Sequence, residues 1–92
     1  MGKKSYTGNT DKKIPENAID VFSRTVRRLR KEKSISQYDL ARLSGISWRM
    51  ISDIERGVKQ PTLLSLMKLA KGLNISLRRL INELIKDLKD NP

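Results

Sequence analysis

The sequence of 92 residues contains no cysteine and no histidine. Without cysteine, neither a disulfide nor a thiolate metal site can stabilise the fold. Without histidine, the chain lacks the side chain that most often serves as a general base or as a nitrogen ligand to a metal. These two absences make an enzyme the least favoured class, and we expect no cofactor, no metal and no small-molecule ligand.

Acidic residues and long apolar runs are also scarce. Ten Asp and Glu stand against 20 Lys and Arg, which gives a formal net charge of +10. Such an excess indicates a polyanionic partner, either nucleic acid or an anionic membrane surface, although solubility alone is the alternative. No segment approaches the roughly 20 apolar residues that span a bilayer. The basic start is not followed by the apolar stretch of a signal peptide, so we expect a cytoplasmic protein without a membrane partner.

The chain divides by composition into two parts. Residues 1–16 are polar, bear several lysines and show no hydrophobic period, which is typical of a flexible basic arm. Over residues 17–90, apolar residues recur at helical spacing and no stretch alternates like a strand. Since 92 residues form one domain at most, the pattern predicts a single all-α domain, a compact five-helix bundle.

Capping residues mark the helix boundaries. Ser36 and Asp39 form a capping box that begins the second helix, and Gly45 can take the left-handed conformation that ends it. Ser47 can cap a third helix that runs until Gly57. Three further helices are expected, one over residues 17–32 and two that follow the capping residues Thr62 and Ser76. About three residues separate the second and third helices, which is the turn length of a helix-turn-helix.

Residues 36–57 resemble the helix-turn-helix of the Cro and phage-repressor type, also called the xenobiotic-response-element (XRE) family. The matching elements are Ser36-Gln37, Leu40-Ala41, Gly45-Ile46-Ser47, Ile51-Ser52, Ile54-Glu55, Gly57, Pro61-Thr62, Leu69-Ala70 and Leu73-Asn74-Ile75-Ser76. The resemblance covers roughly residues 20–84. It implies the phage-repressor DNA-binding fold and sequence-specific binding of double-stranded DNA as a transcriptional regulator, with a repressor favoured.

The third helix is expected to enter the major groove. At 100° per residue, Ile51 and Ile54 lie on its buried side, while the opposite side holds Arg49, Ser52, Asp53 and Arg56. With Trp48 at the border between the two sides, the candidate base contacts are Trp48, Arg49, Ser52 and Asp53. Arginine can donate to guanine O6 and N7, and aspartate can accept from cytosine N4.

Each candidate has a second interpretation. Arg49 can be a solvated side chain, and Asp53 can sit exposed and pair with Arg49. Trp48 can pack on thymine methyl groups or sugars, or it can fold back as partial core.

The resemblance also implies roles outside the base contacts. Gln37, at the start of the second helix, is expected to bind a phosphate and brace the third helix; an ordinary surface glutamine is the alternative. Further phosphate candidates on the same face are Ser47, Arg56 and Lys59. The family pairs an arginine at the end of the first helix with a glutamate at the end of the third, here Arg30 and Glu55. We therefore interpret Glu55 as structural and not catalytic.

The fifth helix carries a long apolar stripe that continues through Leu84, Ile85 and Leu88. Its far end exceeds what four short helices should cover, so it is either extended core or a two-fold contact of the kind this family commonly uses. We predict a homodimer.

Other functions stay open at this point. A DNA-binding antitoxin or a mobile-element controller fits the same residues. A protein-interaction module that keeps the fold without specific DNA binding is a rival, against which the basic first helix argues. A cationic membrane-surface protein is another, although the basic residues of that helix are spread over several faces.

Overall fold

The computed structural model describes residues 16–90, and these form five α-helices without a strand. The helices are α1 (Ala18–Glu32), α2 (Gln37–Ser44), α3 (Trp48–Glu55), α4 (Leu63–Gly72) and α5 (Leu77–Asp90). The all-α prediction is confirmed, although α3 ends two residues before Gly57. The predicted arm lies outside the described residues, except for its last residue.

The helix starts follow from short polar side chains. The Ser36 hydroxyl accepts from the Asp39 backbone N–H at 3.0 Å, and the Ser36 N–H donates to the Asp39 carboxylate at 3.1 Å, so the predicted capping box is present. The backbone hydrogen bond from Ser36 is the main reason why the pKa of Asp39 lies below its ordinary value. The hydroxyls of Ser47 and Thr62 likewise accept from backbone N–H groups in the first turns of α3 and α4. Gly45 ends α2 with φ of +77°, the conformation that glycine adopts without strain.

The core lies where α1, α2, α3, α4 and α5 converge. Its fully buried side chains include Val26, Leu40, Ile51, Ile54, Leu69, Leu73 and Leu80. Burying an aliphatic side chain of this size stabilises the fold by roughly 1.5–3 kcal/mol. The predicted buried stripe of α3, Ile51 and Ile54, is therefore confirmed, and it anchors this short helix in the bundle.

Gly72 allows α4 to lie directly against α2. A Cβ atom at this position would stand 2.8 Å from the Ser44 Cβ and 2.9 Å from the Leu40 Cδ1. Since real Cβ atoms do not come so close, a larger residue would push the two helices apart. The close contact holds α2, the first helix of the helix-turn-helix, against the body of the domain.

An ion-pair network joins α1 to the second half of α5. Arg28 Nη2 lies 2.7 Å from Glu83 Oε1 and 3.0 Å from Asp87 Oδ2, while Nη1 lies 3.0 Å from Glu32 Oε2. The Thr25 hydroxyl donates to Asp87 at 2.7 Å. Because the contacts between α1 and α5 join residues 55 or more positions apart in sequence, helical spacing alone gave no sign of them.

These contacts shift the acid–base equilibria of both α5 carboxyls. The hydrogen bond from Arg28 is the main reason why the pKa of Glu83 is lowered. Burial by itself opposes ionisation of Asp87, but the hydrogen bonds from Thr25 and Arg28 outweigh it, and the pKa of Asp87 is lowered too. Both carboxylates therefore stabilise the folded state in their charged forms.

The network should make the domain sensitive to acid. Groups with a lowered folded pKa stabilise fully above their unfolded pKa, roughly 4, and lose that contribution as the pH falls through the folded value. We expect Glu83→Gln to lower stability at pH 7 by about 1 kcal/mol or less, because the pair is partly solvated. Its stability should also decline less steeply below pH 4. Thermal melts from pH 2 to pH 7 measure both effects. Glu32→Gln, which removes the half-exposed partner of Arg28, is the control, and equal acid slopes for wild type and Glu83→Gln would contradict the assignment.

Candidate nucleic-acid interface

The turn between α2 and α3 presents the first turn of α3 to solvent. Ser47, Trp48 and Arg49 are all exposed, whereas Ile51 and Ile54 are buried on the opposite side. The Ser47 hydroxyl accepts from the Met50 N–H at 3.1 Å and fixes the start of the helix. A short helix anchored along one side can therefore offer its N-terminal turn to a groove.

Glu55, the last residue of α3, is the polar centre beneath this surface. Its carboxylate is fully buried and accepts from Arg30 Nε at 2.6 Å, from Arg30 Nη2 at 3.0 Å and from Gln37 Nε2 at 3.0 Å. The predicted pair of Arg30 and Glu55 is thus present in bidentate geometry, and its hydrogen bond raises the pKa of Arg30 further. Arg30 also donates to the carbonyl of Ile35 at 2.8 Å. One carboxylate thereby ties α1, α2 and α3 together.

Trp48 folds back onto α2 but does not join the core. Its indole N–H donates to Gln37 Oε1 at 3.2 Å, and its ring stacks on Tyr38 with centroids 5.3 Å apart and planes 6° from parallel. Since Gln37 also donates to Glu55, its amide bridges the two ends of α3, which is the bracing role that the resemblance implied. Trp48 remains 40% exposed, so one side of the ring still faces solvent.

The placement of Asp53 on the exposed side of α3 is wrong, and the base contact assigned to it stays a prediction. Its side chain is only 12% exposed and accepts a hydrogen bond from Arg56, so it is neither outward-facing nor paired with Arg49. The helical wheel failed because the chain turns back immediately after α3, where the Val58 N–H donates to the Asp53 carbonyl at 3.0 Å. A wheel describes the helix alone and not the segment that covers it.

The remaining candidates keep surface positions. Arg49 and Lys59 are exposed, Ser52 is half-buried, and Arg56 is exposed although it pairs with Asp53. Tyr38 was not among the predicted site residues, and an aromatic side chain in the first turn of α2 was the signal that could have indicated it.

The described part of the chain lacks two other kinds of site. Residues 16–90 contain no group of three or more acidic side chains placed to hold a metal ion. None of the helices in this range combines the length and apolarity that a membrane-spanning helix needs.

The five-helix bundle and its tight α2–α3 turn place this protein in the class of helix-turn-helix proteins. The helix-turn-helix family model HTH_3 matches residues 26–80, and the chain belongs to this family. Among its relatives is the HTH-type transcriptional regulator SutR of Escherichia coli (strain K12), 38% identical over 60 residues. The match covers 65% of this chain but only 34% of SutR. The control protein C.SmaI of Serratia marcescens is 36% identical over 62 residues, 67% of this chain and 74% of that protein.

Solved structures give the same architecture. The wild-type restriction-modification controller protein C.Esp1396I superimposes with a TM-score of 0.77 at 31% identity, over 84% of this chain and all of that one. The C.Esp1396I tetramer in complex with its natural 35-base-pair operator matches with a TM-score of 0.76 at 32% identity, covering 82% of this chain and 99% of that chain.

The Glu55 cluster should contribute strongly to the free energy of unfolding. Glu55→Ala leaves Arg30 as a largely buried, uncompensated charge, so we expect a loss of about 3 kcal/mol or more. At roughly 4–8 °C per kcal/mol for a domain of this size, the melting temperature should fall by more than about 10 °C. Arg42→Ala, which removes an exposed partner of Asp39, is the control and should cost far less. A double-mutant cycle of Glu55→Ala with Arg30→Ala measures the coupling; strictly additive losses would mean that the two side chains do not interact.

Proposed function

We propose that this chain is a DNA-binding transcriptional regulator that inserts the first turn of α3 into the major groove. The observation that carries the proposal is the exposed turn Ser47–Arg49, held in place from beneath by Glu55, Arg30 and Gln37. A groove about 12 Å wide accommodates such a helix. In this proposal the buried carboxylate of Glu55 has a structural role, and the protein acts by binding and not by catalysis.

Arg49 and Ser52 are the proposed base contacts, with the open side of Trp48 beside them. Arg49 makes no ion pair within the described residues, so its guanidinium is available for a bidentate contact with guanine O6 and N7. Such a pair contributes about 1–3 kcal/mol of discrimination against the wrong base.

Phosphate contacts would come from the rim of the same surface. The proposed residues are Gln37, Ser47, Arg56 and Lys59. The Gln37 amide already makes two hydrogen bonds, but its second N–H remains for a phosphate oxygen. Contacts of this kind position the protein on DNA without selecting a sequence.

The relatives support binding to an operator by more than one copy. C.SmaI is named a control protein, and C.Esp1396I was crystallised as a tetramer on its operator. A regulator of the controller type is the function that these similarities favour. Two copies related by a two-fold axis would place half-sites about 34 Å apart or at a multiple of that distance.

For self-association we propose the predicted surface at the end of α5. Ile85 is 46% exposed, while Leu84 and Leu88 are half-buried and Leu84 also packs on the core. Beside Ile85, Leu84 lines a shallow apolar groove together with Phe22, Pro61 and Leu66, which would accept an apolar side chain from a second copy. A second exposed apolar surface at the start of α4 comprises Leu63, Leu64 and Met67.

DNA binding is tested by titrating duplex DNA at several salt concentrations. Each neutralised phosphate should contribute a slope of about −0.9 to log K against log salt.

On a site selected from a random pool, Arg49→Ala should cost about 1–3 kcal/mol and relax the preference at one base pair, whereas Lys59→Ala should weaken all sequences alike. A wild-type protein that fails to bind at low salt would refute the function, and full discrimination by Arg49→Ala would refute the assigned contact.

The dimer surface is tested by changing Ile85 and Leu88 together to lysine. We expect the variant to stay folded by circular dichroism, to sediment at lower mass and to bind its operator more weakly, because each copy loses apolar contact area. The matched variant, Leu64→Lys with Met67→Lys, places the same charges on α4. If the α4 variant dissociates and the α5 variant does not, the contact lies on α4.

A further inference from the structure

The cluster around Glu55 contains one more positive charge than it needs. Arg30 alone gives the carboxylate two hydrogen bonds and a full opposite charge, and Gln37 gives a third hydrogen bond. Arg27 Nε nevertheless lies 3.8 Å from Glu55 Oε1, which is too far for a hydrogen bond. One carboxylate with two guanidiniums leaves a net charge of +1, and that charge resides on the loosely held arginine.

Exposure distinguishes the two arginines. The Arg30 side chain is 11% exposed, whereas the Arg27 side chain is 48% exposed. Within residues 16–90 the distant ion pair with Glu55 is the single polar contact of the Arg27 guanidinium, so its five N–H donors remain available to a ligand. Arg30 therefore neutralises the buried carboxylate, and Arg27 offers its charge to solvent.

Arg27 lies next to a residue already proposed to bind phosphate. The same atom, Glu55 Oε1, accepts from Gln37 Nε2 at 3.0 Å and stands 3.8 Å from Arg27 Nε. The guanidinium on α1 and the amide at the start of α2 therefore approach the same carboxylate oxygen, and Glu55 holds the amide by a hydrogen bond. A cation and an amide donor side by side match an oxyanion with several acceptor atoms.

We infer that Arg27 and Gln37 together bind one phosphodiester group of the DNA backbone, beside the groove that α3 enters. The inference rests on the proposed function and adds a residue of α1 to the interface. Arg27 supplies the charge and the planar guanidinium, and Gln37 supplies its second N–H. Glu55 orients Gln37 and attracts Arg27 without contacting DNA. The fork matters because guanidinium binds phosphate oxygens in pairs, whereas the ammonium of lysine acts as a point charge.

The experiment compares two arginines of α1 that contribute equally to net charge. Arg27→Ala and Arg24→Ala each reduce it from +10 to +9. Arg24 is exposed on the same helix and donates to the Asp20 carbonyl, away from Glu55. Binding to a labelled random-sequence duplex is followed by fluorescence anisotropy over a range of salt concentrations. We expect Arg27→Ala to reduce the salt slope by about 0.9, and Arg24→Ala to change it much less.

Two further measurements separate binding from stability. Arg27→Lys should keep most of the salt slope while binding more weakly than wild type, because it retains the charge and loses the fork. The melting temperature of Arg27→Ala should stay near that of wild type, in contrast to Arg30→Ala. Equal changes of slope in Arg27→Ala and Arg24→Ala, or a melting temperature of Arg27→Ala as low as that of Arg30→Ala, would overturn the inference. Absence of binding by wild type at low salt would instead refute the proposed function.

Discussion

The buried carboxylate of Glu55 is the constraint on which the rest of the interface depends. Removing a charge from water costs several kcal/mol, so Glu55 is tolerated only because Arg30 and Gln37 satisfy both of its oxygens. The carboxylate sets the positions of an arginine on α1 and a glutamine on α2, and those residues in turn hold the end of α3. An eight-residue helix too short to be stable alone is thereby held at its last residue, in addition to its buried Ile51 and Ile54.

Helix α1 distributes its positive charge between two tasks. Arg28 faces α5 and meets carboxylates from that helix, while Arg30 faces α3 and meets Glu55. Both charges are neutralised by carboxylates of the same molecule. The number of basic residues in α1 therefore overstates the positive charge that is available to a polyanion. Arg24 and Arg27 are among the exposed residues that remain. Counting charges in a sequence therefore gives an upper limit on the electrostatic attraction that a surface can exert.

The features that the sequence predicted well are those determined by neighbours in the chain. Capping by Ser36 and Ser47, the left-handed Gly45 and the apolar stripe of α3 all depend on residues within one or two turns. The pairing of Arg30 with Glu55 was predicted through the family resemblance, since nothing local requires it. Asp53 was misplaced because a helical wheel leaves out the turn that follows α3, where Arg56 and Val58 contact it. The Arg28 network was missed because it joins helices that are distant in sequence. Trp48 had two interpretations because a border position on a helix does not specify what packs against it.

The contacts of Trp48 join the first turns of α2 and α3 into one packed unit. Its ring stacks on Tyr38, and its N–H donates to the amide oxygen of Gln37. An α3 transplanted into another scaffold of this fold would leave the indole without its stacking partner and the glutamine with one fewer constraint. A swap of α3 alone would therefore hold the first turn of that helix less firmly than it is held here. In this protein the transferable module extends from residue 37 to residue 55.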